Sequence, residues 1–243
     1  ELYGGSSSLL MGTVAGSIAI VNQNGGLVWG SGGANNAIAL GNGASANGAY
    51  NLNGGTLWIG QVRQGNAGAD SATFNFNGGT LKPTASTPNF MQGLQTANVL
   101  SGGAIIDTTN FDITIAQNLA DGGEGGGLTK LGSGTLTLPG ANSYTGPTIV
   151  SNGTLAVTTS SLNGGGAIAI ADGAALSVAD ASSSLFTPSL TLGSATALTF
   201  NLPNGTPAAT PIVATSLTAD GDVTINITGG NFVPGTFPLI HFS

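Results

Sequence analysis

The chain has 243 residues, among them 42 glycines, one histidine and no cysteine. It carries 3 Lys and Arg against 10 Asp and Glu, so its formal net charge is −7. Because so few cations can neutralise phosphates or anionic lipid headgroups, we expect no nucleic-acid partner and no membrane insertion by this segment. The absence of cysteine excludes disulfides and thiolate nucleophiles, and a single histidine cannot form the His pair of a catalytic zinc site.

The sequence lacks the usual signals for export or membrane spanning. It has no run of about 18 apolar residues, and residues 1–5 do not form a basic segment followed by an apolar one. We expect the chain to be a mature, processed form or a fragment of a longer precursor.

Short stretches of the chain alternate apolar residues with small or polar ones. Such stretches occur at 37–40, 135–138, 167–170 and 222–227. A period of two is typical of β-strands. Glycine, which costs about 1 kcal/mol relative to alanine inside a helix, interrupts the chain too often for long helices. The pattern predicts an all-β protein, with one short helical turn at 91–98.

A strand–turn–strand unit recurs along the chain. Residues 51–57 read NLNGGTL, residues 75–81 read NFNGGTL, and a weaker copy lies at 99–105. Shorter versions follow at 132–136, 151–155, 171–175 and 219–223. A period of about 20–30 residues fits one coil of a parallel β-solenoid, and one coil alone cannot bury its inward side chains. We therefore predict about ten stacked coils.

One domain accounts for the whole chain. We predict a single β-solenoid over residues 1–243, with a change of coil style near residues 122–127, where glycines cluster. The coils before this point carry aromatic and amide side chains. The coils after it are shorter and rich in Thr, Ala and Leu.

The most specific motif lies at residues 127–157. It combines a Lys-x-Gly-x-Gly-Thr-Leu strand, an Asn-x-Tyr-Thr-Gly corner and an Asn-Gly-Thr-Leu strand. The matching positions are Lys130, Gly132, Gly134, Thr135, Leu136, Asn142, Tyr144, Thr145, Gly146, Gly153, Thr154 and Leu155. This segment closely resembles the autotransporter-associated β-strand repeat. The resemblance implies a right-handed parallel β-helix in the passenger region of a protein that is extracellular or on the cell surface of a Gram-negative-type bacterium.

Two pairs of carboxylates are candidates for acid–base chemistry. They are Asp107 with Asp112, and Asp220 with Asp222. A glycosidase needs two carboxylates facing each other about 5–10 Å apart. Both pairs lie among turn residues, so we expect them to form corners, and the three scattered cations argue against a lyase. We expect no enzymatic activity and no catalytic residue.

Metal and proton-transfer sites also have weak sequence support. Asp121 and Glu124 offer only two acids among glycines as calcium ligands, and His241 stands alone in a strand-like segment. We expect a structural histidine, no metal site and no bound cofactor.

Trp29, Trp58 and Tyr50 have two interpretations. They could form an exposed platform on which sugars stack, or they could be core residues. Large aromatic side chains are more often buried than exposed, so we expect the core.

These observations favour a non-enzymatic structural or adhesive β-solenoid module. The alternative is a carbohydrate-binding or polysaccharide-degrading β-helix protein, with cell-surface or matrix glycans as partners.

The apolar strand pattern at 239–242 has no charged or helical cap, although natural proteins guard exposed strand edges. We therefore expect self-association through the solenoid ends, by head-to-tail stacking or lateral packing into fibres.

Overall fold

A computed structural model describes residues 2–4, 8–30, 36–180, 182–232 and 234–243. Over these ranges the chain forms 24 β-strands and no helix. The helical turn predicted at 91–98 is therefore wrong, because this segment contributes to the strands Thr87–Gln92 and Thr96–Val99. Met91 and Ala97 are fully buried and pair with the neighbouring turns, so tertiary packing overrides the local helical tendency.

Ten strands form one flat face of the protein, here called face A. They are β2 (Leu9–Leu10), β4 (Ala37–Leu40), β6 (Gln61–Gln64), β9 (Thr87–Gln92), β12 (Ile113–Ile115), β15 (Thr135–Leu138), β17 (Thr154–Thr158), β19 (Ala175–Ala179), β21 (Thr196–Leu202) and β23 (Val223–Gly229).

The other fourteen strands form a second sheet. They are β1 (Leu2–Gly4), β3 (Ile18–Gly30), β5 (Asn47–Ile59), β7 (Ser71–Phe76), β8 (Thr80–Pro83), β10 (Thr96–Val99), β11 (Ala104–Asp107), β13 (Leu119–Asp121), β14 (Leu128–Leu131), β16 (Thr148–Val150), β18 (Ile168–Ile170), β20 (Leu185–Leu192), β22 (Ile212–Ala219) and β24 (Ile240–Phe242).

This second sheet bends around a corner inside its longest strands. The first half of β5 pairs with β7, whereas its second half pairs with β8. The sheet therefore provides two faces. Face B contains the first halves of β3 and β5 with β7, β10 and β13, and face C contains their second halves with β1, β8, β11, β14, β16 and β18.

Each turn of the chain runs from face A to face B to face C, and the neighbouring strands of successive turns pair in parallel. The predicted fold class, an all-β parallel β-solenoid, is confirmed. The solenoid has about eight turns, slightly fewer than the predicted ten or so.

Columns of apolar side chains form the interior. The strand registers place one inward residue from each strand of face A in a single column. Its members are Leu9, Ile38, Val62, Met91, Ile115, Leu138, Val157, Val178, Phe200 and Ile227. The eight inner members are buried, whereas the terminal Leu9 and Ile227 are exposed. Stacking with a turn on either side is therefore what removes these side chains from water.

The interior of the early turns is aromatic. Tyr50 and Phe74 stack in parallel with ring centroids 5.6 Å apart, and Phe76 meets Phe74 edge-on. The Tyr50 hydroxyl donates a 2.6 Å hydrogen bond to Gln23 Oε1, so this buried polar group is satisfied. Burial raises the pKa of Tyr50 above its ordinary value.

Candidate functional site

The carboxylates of Asp107 and Asp112 lie where face C turns into face A, on either side of the corner between β11 and β12. Asp107 Oδ2 lies 2.8 Å from Lys82 Nζ, and Asp107 Oδ1 accepts a 2.8 Å hydrogen bond from the Thr109 N–H. Burial by itself would raise the pKa of Asp107, but the hydrogen bonds from Lys82 and Thr109 outweigh it and hold the pKa below its ordinary value. Asp107 is therefore held as a charged corner residue.

Asp112 is also engaged by the backbone. Its Oδ1 accepts a 2.7 Å hydrogen bond from the Thr135 N–H in the next turn. The other acidic pair, Asp220 and Asp222, flanks Gly221, which has a φ of +97° at the corner between β22 and β23. Both candidate pairs therefore occupy corners, as their turn-rich sequences indicated.

The acids considered as calcium ligands make separate hydrogen bonds to the backbone. Asp121 Oδ1 accepts from the Gly123 N–H at 3.1 Å, and Glu124 Oε2 accepts from the Ser101 N–H at 3.0 Å. The hydrogen bonds from Ser101 lower the pKa of Glu124. Among the residues that the structure describes, no three acids or histidines come together as a metal-binding group.

His241 lies in β24, where it pairs with Val213 of β22, and its side chain is exposed. It lines a shallow depression together with Phe186, Thr187 and Pro188. The prediction that His241 lies in a strand is confirmed, although burial does not alternate along β24, where His241 and Phe242 are both exposed.

The three aromatic residues considered as a platform are not all in the core. Tyr50 is fully buried, as expected, but Trp29 is 36% exposed and Trp58 is partly exposed, so the expectation of burial is wrong for the tryptophans. The reason is strand alternation, because both tryptophans occupy outward positions on face C. Their ring centroids lie 6.1 Å apart with an interplanar angle of 40°.

Lys130 is the polar residue whose role the sequence did not reveal. It is fully buried and occupies an inward position of face C, between Ile106 in the preceding turn and Val150 in the following one. An aliphatic column is therefore interrupted by an ammonium group. The only sequence signal was its place in the repeat motif.

The Lys130 ammonium is surrounded by oxygen acceptors at the corner between faces C and A. The three N–H groups of Nζ are shared among four oxygens within hydrogen-bonding distance: Thr108 Oγ1 at 3.0 Å and the backbone carbonyls of Leu131 at 3.1 Å, Gly132 at 2.7 Å and Asn152 at 2.9 Å. Burial lowers the pKa of Lys130 to about 8, and the charges of Asp107 and Asp112 offset part of this effect. These bonds link three successive turns.

Two further signature residues of the same motif are internal. Asn142 Oδ1 accepts from the Leu119 N–H at 2.8 Å, and its Nδ2 donates at 2.9 Å to the carbonyl of Ser161, so it connects the preceding and following turns. Tyr144 is buried and shares a 2.7 Å hydrogen bond with Thr148 Oγ1. Lys130 and Asn142 thus connect successive turns from the inside, whereas the Tyr144 bond lies within one turn.

Amide side chains connect the turns on the outside of face B. Asn51 Nδ2 donates to Asn22 Oδ1 at 2.6 Å, Asn75 Nδ2 donates to Asn51 Oδ1 at 2.6 Å, and Asn98 Nδ2 donates to Asn75 Oδ1 at 2.8 Å. Each asparagine in the ladder bonds to its equivalent one turn away. The repeated NxNGG sequence therefore also stabilises the stack.

Comparison with known protein families supports this description of the central turns. Residues 128–157 match the family model of the passenger-associated-transport-repeat. Comparisons with curated proteins and with solved structures gave no match. No helix in the described part of the chain is long and apolar enough to cross a membrane. The repeat and the β-solenoid together suggest an autotransporter passenger-like module.

Proposed function

Starting from a β-solenoid that carries a passenger-associated transport repeat, we propose that this chain is a non-enzymatic structural or adhesive module outside the cell, and that copies of it associate end to end. The observation that carries the proposal is the pair of apolar end surfaces joined by one continuous column. The repeat at 128–157 supports a secreted or surface location.

The use of the charged groups supports a structural role. Asp107, Asp112 and Glu124 all accept hydrogen bonds from the backbone of a corner, and two of these bonds connect adjacent turns. Lys130 is buried among carbonyls, and Lys82 is paired with Asp107. General acid–base chemistry needs a titratable group within reach of substrate, whereas these groups hold the solenoid together.

The two end surfaces are complementary in chemistry. At one end Leu9 and Leu10 of β2 are exposed, and at the other Ile225 and Ile227 of β23 are exposed. Leu9 and Ile227 are the two ends of the same inward column. A second copy stacked on β23 through its own β2 would continue that column and would pair the two free strand edges.

Light scattering of the purified chain over a wide concentration range, with electron microscopy of the same samples, tests this assembly. We expect concentration-dependent rods whose length grows in steps of one copy. Ile227→Lys places a charge in the stacking surface, so it should leave monomers. Phe186→Lys introduces the same charge at an exposed position away from the column, so it should still assemble.

A monodisperse monomer at high concentration would overturn the end-to-end assembly. So would a Phe186→Lys variant that dissociates as completely as Ile227→Lys.

The location is tested separately, by labelling intact source cells with an antibody against the folded chain. Labelling only after permeabilisation would contradict a surface or secreted module.

A further inference from the structure

Four residues on successive turns form a column on the outside of face C, here called the Trp–Lys column: Trp29 of β3, Trp58 of β5, Lys82 of β8 and Asp107 of β11. Register pairs connect Trp29 with Trp58 and Trp58 with Lys82, and the Lys82–Asp107 ion pair extends the column by one turn. At about 4.8 Å per turn, the column is about 14 Å long.

The two indole rings are neighbours on the outside of face C, and Lys82 covers part of one of them. Trp58 Nε1 donates a 2.8 Å hydrogen bond to the carbonyl of Pro83, and Lys82 Nζ lies 5.8 Å from the centroid of the Trp58 ring. The ring is therefore held from two sides. Trp29 lies beside it and has more than a third of its surface exposed to solvent.

The charges in the column neutralise each other. Lys82 and Asp107 are 2.8 Å apart and partly exposed, so both present polar atoms to a ligand while the pair carries no net charge. The chain as a whole carries a formal charge of −7, which disfavours an anionic ligand. A ligand suited to this surface is neutral, has apolar patches for the rings and has hydroxyl groups for the ion pair.

We propose that the Trp–Lys column binds a neutral polysaccharide whose chain runs along the solenoid axis. Indole rings offer a flat, rigid apolar face to the C–H face of a sugar ring. The exposed part of Trp29 offers this surface, and because the two ring centroids are 6.1 Å apart, the next sugar of the same chain can contact the exposed edge of Trp58. The ion pair then hydrogen-bonds the hydroxyls of the next unit. The end-to-end assembly proposed above does not depend on polysaccharide binding.

Tryptophan fluorescence reports directly on this site, because the chain contains 2 tryptophans and both are in the column. In the experiment, the full chain is titrated with soluble neutral polysaccharides and, separately, with a uronate-rich polysaccharide. Binding to insoluble neutral glycans is measured by co-sedimentation. We expect a neutral polysaccharide to shift the emission to shorter wavelengths, with saturation, and the uronate polymer to bind at least about tenfold more weakly, since charge repulsion opposes it.

Three variants locate the binding. Trp29→Ala should weaken binding about tenfold or more, because a central aromatic contact is worth more than about 1.4 kcal/mol. Lys82→Gln should weaken it less, while both indoles remain. Phe186→Ala removes an exposed aromatic elsewhere and should bind like the wild type. Circular dichroism checks that each variant is folded.

Several outcomes would overturn the proposal. One is the absence of any fluorescence shift or co-sedimentation across the neutral panel. Others are stronger binding of the uronate polymer, or a folded Trp29→Ala variant that binds like the wild type. End-to-end assembly is measured separately by light scattering, so the failure of one proposal is distinguishable from the failure of the other.

Discussion

Lys130 Nζ donates a 2.9 Å hydrogen bond to the carbonyl oxygen of Asn152, which lies in the following turn of the solenoid. The same ammonium also reaches Thr108 Oγ1 in the preceding turn, at 3.0 Å. A single buried side chain therefore connects three successive turns at one corner. Its aliphatic stem fills a position in an apolar column, while its ammonium group is stabilised by hydrogen bonds to backbone oxygens.

Replacing Lys130 with methionine should lower the free energy of unfolding by about 2 kcal/mol at pH 7. Methionine fills a similar volume, but it leaves the Gly132 and Asn152 carbonyls without their donor, and unpaired buried acceptors cost about 1–3 kcal/mol each. Urea unfolding followed by circular dichroism measures the change. Lys82→Met is the matched control, since it removes a partly exposed cation and should cost only about 0.5 kcal/mol. Equal losses in the two variants would contradict the role of Lys130.

The stability of the protein should rise with pH between about 8 and 10. The folded-state pKa of Lys130 is about 8 and its ordinary value is 10.5, so the unfolded chain binds more protons in this window. Stability increases with pH wherever the unfolded state holds more protons. Between pH 8 and pH 9.5 the gain is about 2 kcal/mol, or roughly 4–8 °C in Tm.

At higher pH the stability of the protein should fall again. Burial raises the pKa values of Tyr50 and Tyr144, so above pH 10 the unfolded chain loses tyrosine protons first and stability falls. Melting curves at half-unit steps of pH measure both limbs. In Lys130→Met the rising limb should be absent and the falling limb should remain. If the melting temperature of Lys130→Met still rises with pH in this window, the rise belongs to another titratable group.

Gly153→Ala should destabilise the protein more than Gly173→Ala. Both glycines have positive φ, +66° and +71°, so both variants carry the same backbone strain of about 1 kcal/mol. A Cβ at Gly153 would also lie 2.5 Å from the Gly134 carbonyl oxygen, whereas at Gly173 nothing lies within 4 Å. We expect the Gly153 variant to lose at least twice as much free energy, measured by urea unfolding. Equal losses would mean that the turns can separate at this corner at no cost.

The repeat spacing was sufficient to predict stacked coils. Asn51 and Asn75, placed one period apart in sequence, are one turn apart in space and share a hydrogen bond. The period predicts stacking because each repeated turn must bury the inward apolar side chains of the turns next to it. The segment at 91–98 shows the limit of local reasoning, since burial of Met91 in the column decides its conformation.

The site residues were harder to predict. Whether Trp29 and Trp58 point inward or outward depends on register, and a shift of one residue would reverse both. The ion pair between Lys82 and Asp107 joins residues 25 positions apart, and no local pattern connects them. The change of coil style near residues 122–127 stays a prediction.

The sequence by itself determined that this protein is an all-β stack, that its corners need glycine, and that its central turns carry a transport-associated repeat. Composition, alternation and period are properties of the chain, and they limit which backbone conformations can bury apolar surface. Only the tertiary structure decided which side chains meet across turns. It buried Lys130 among carbonyls and aligned Trp29 with Trp58, because contacts between turns depend on the register of stacked strands, which is set when the whole column packs.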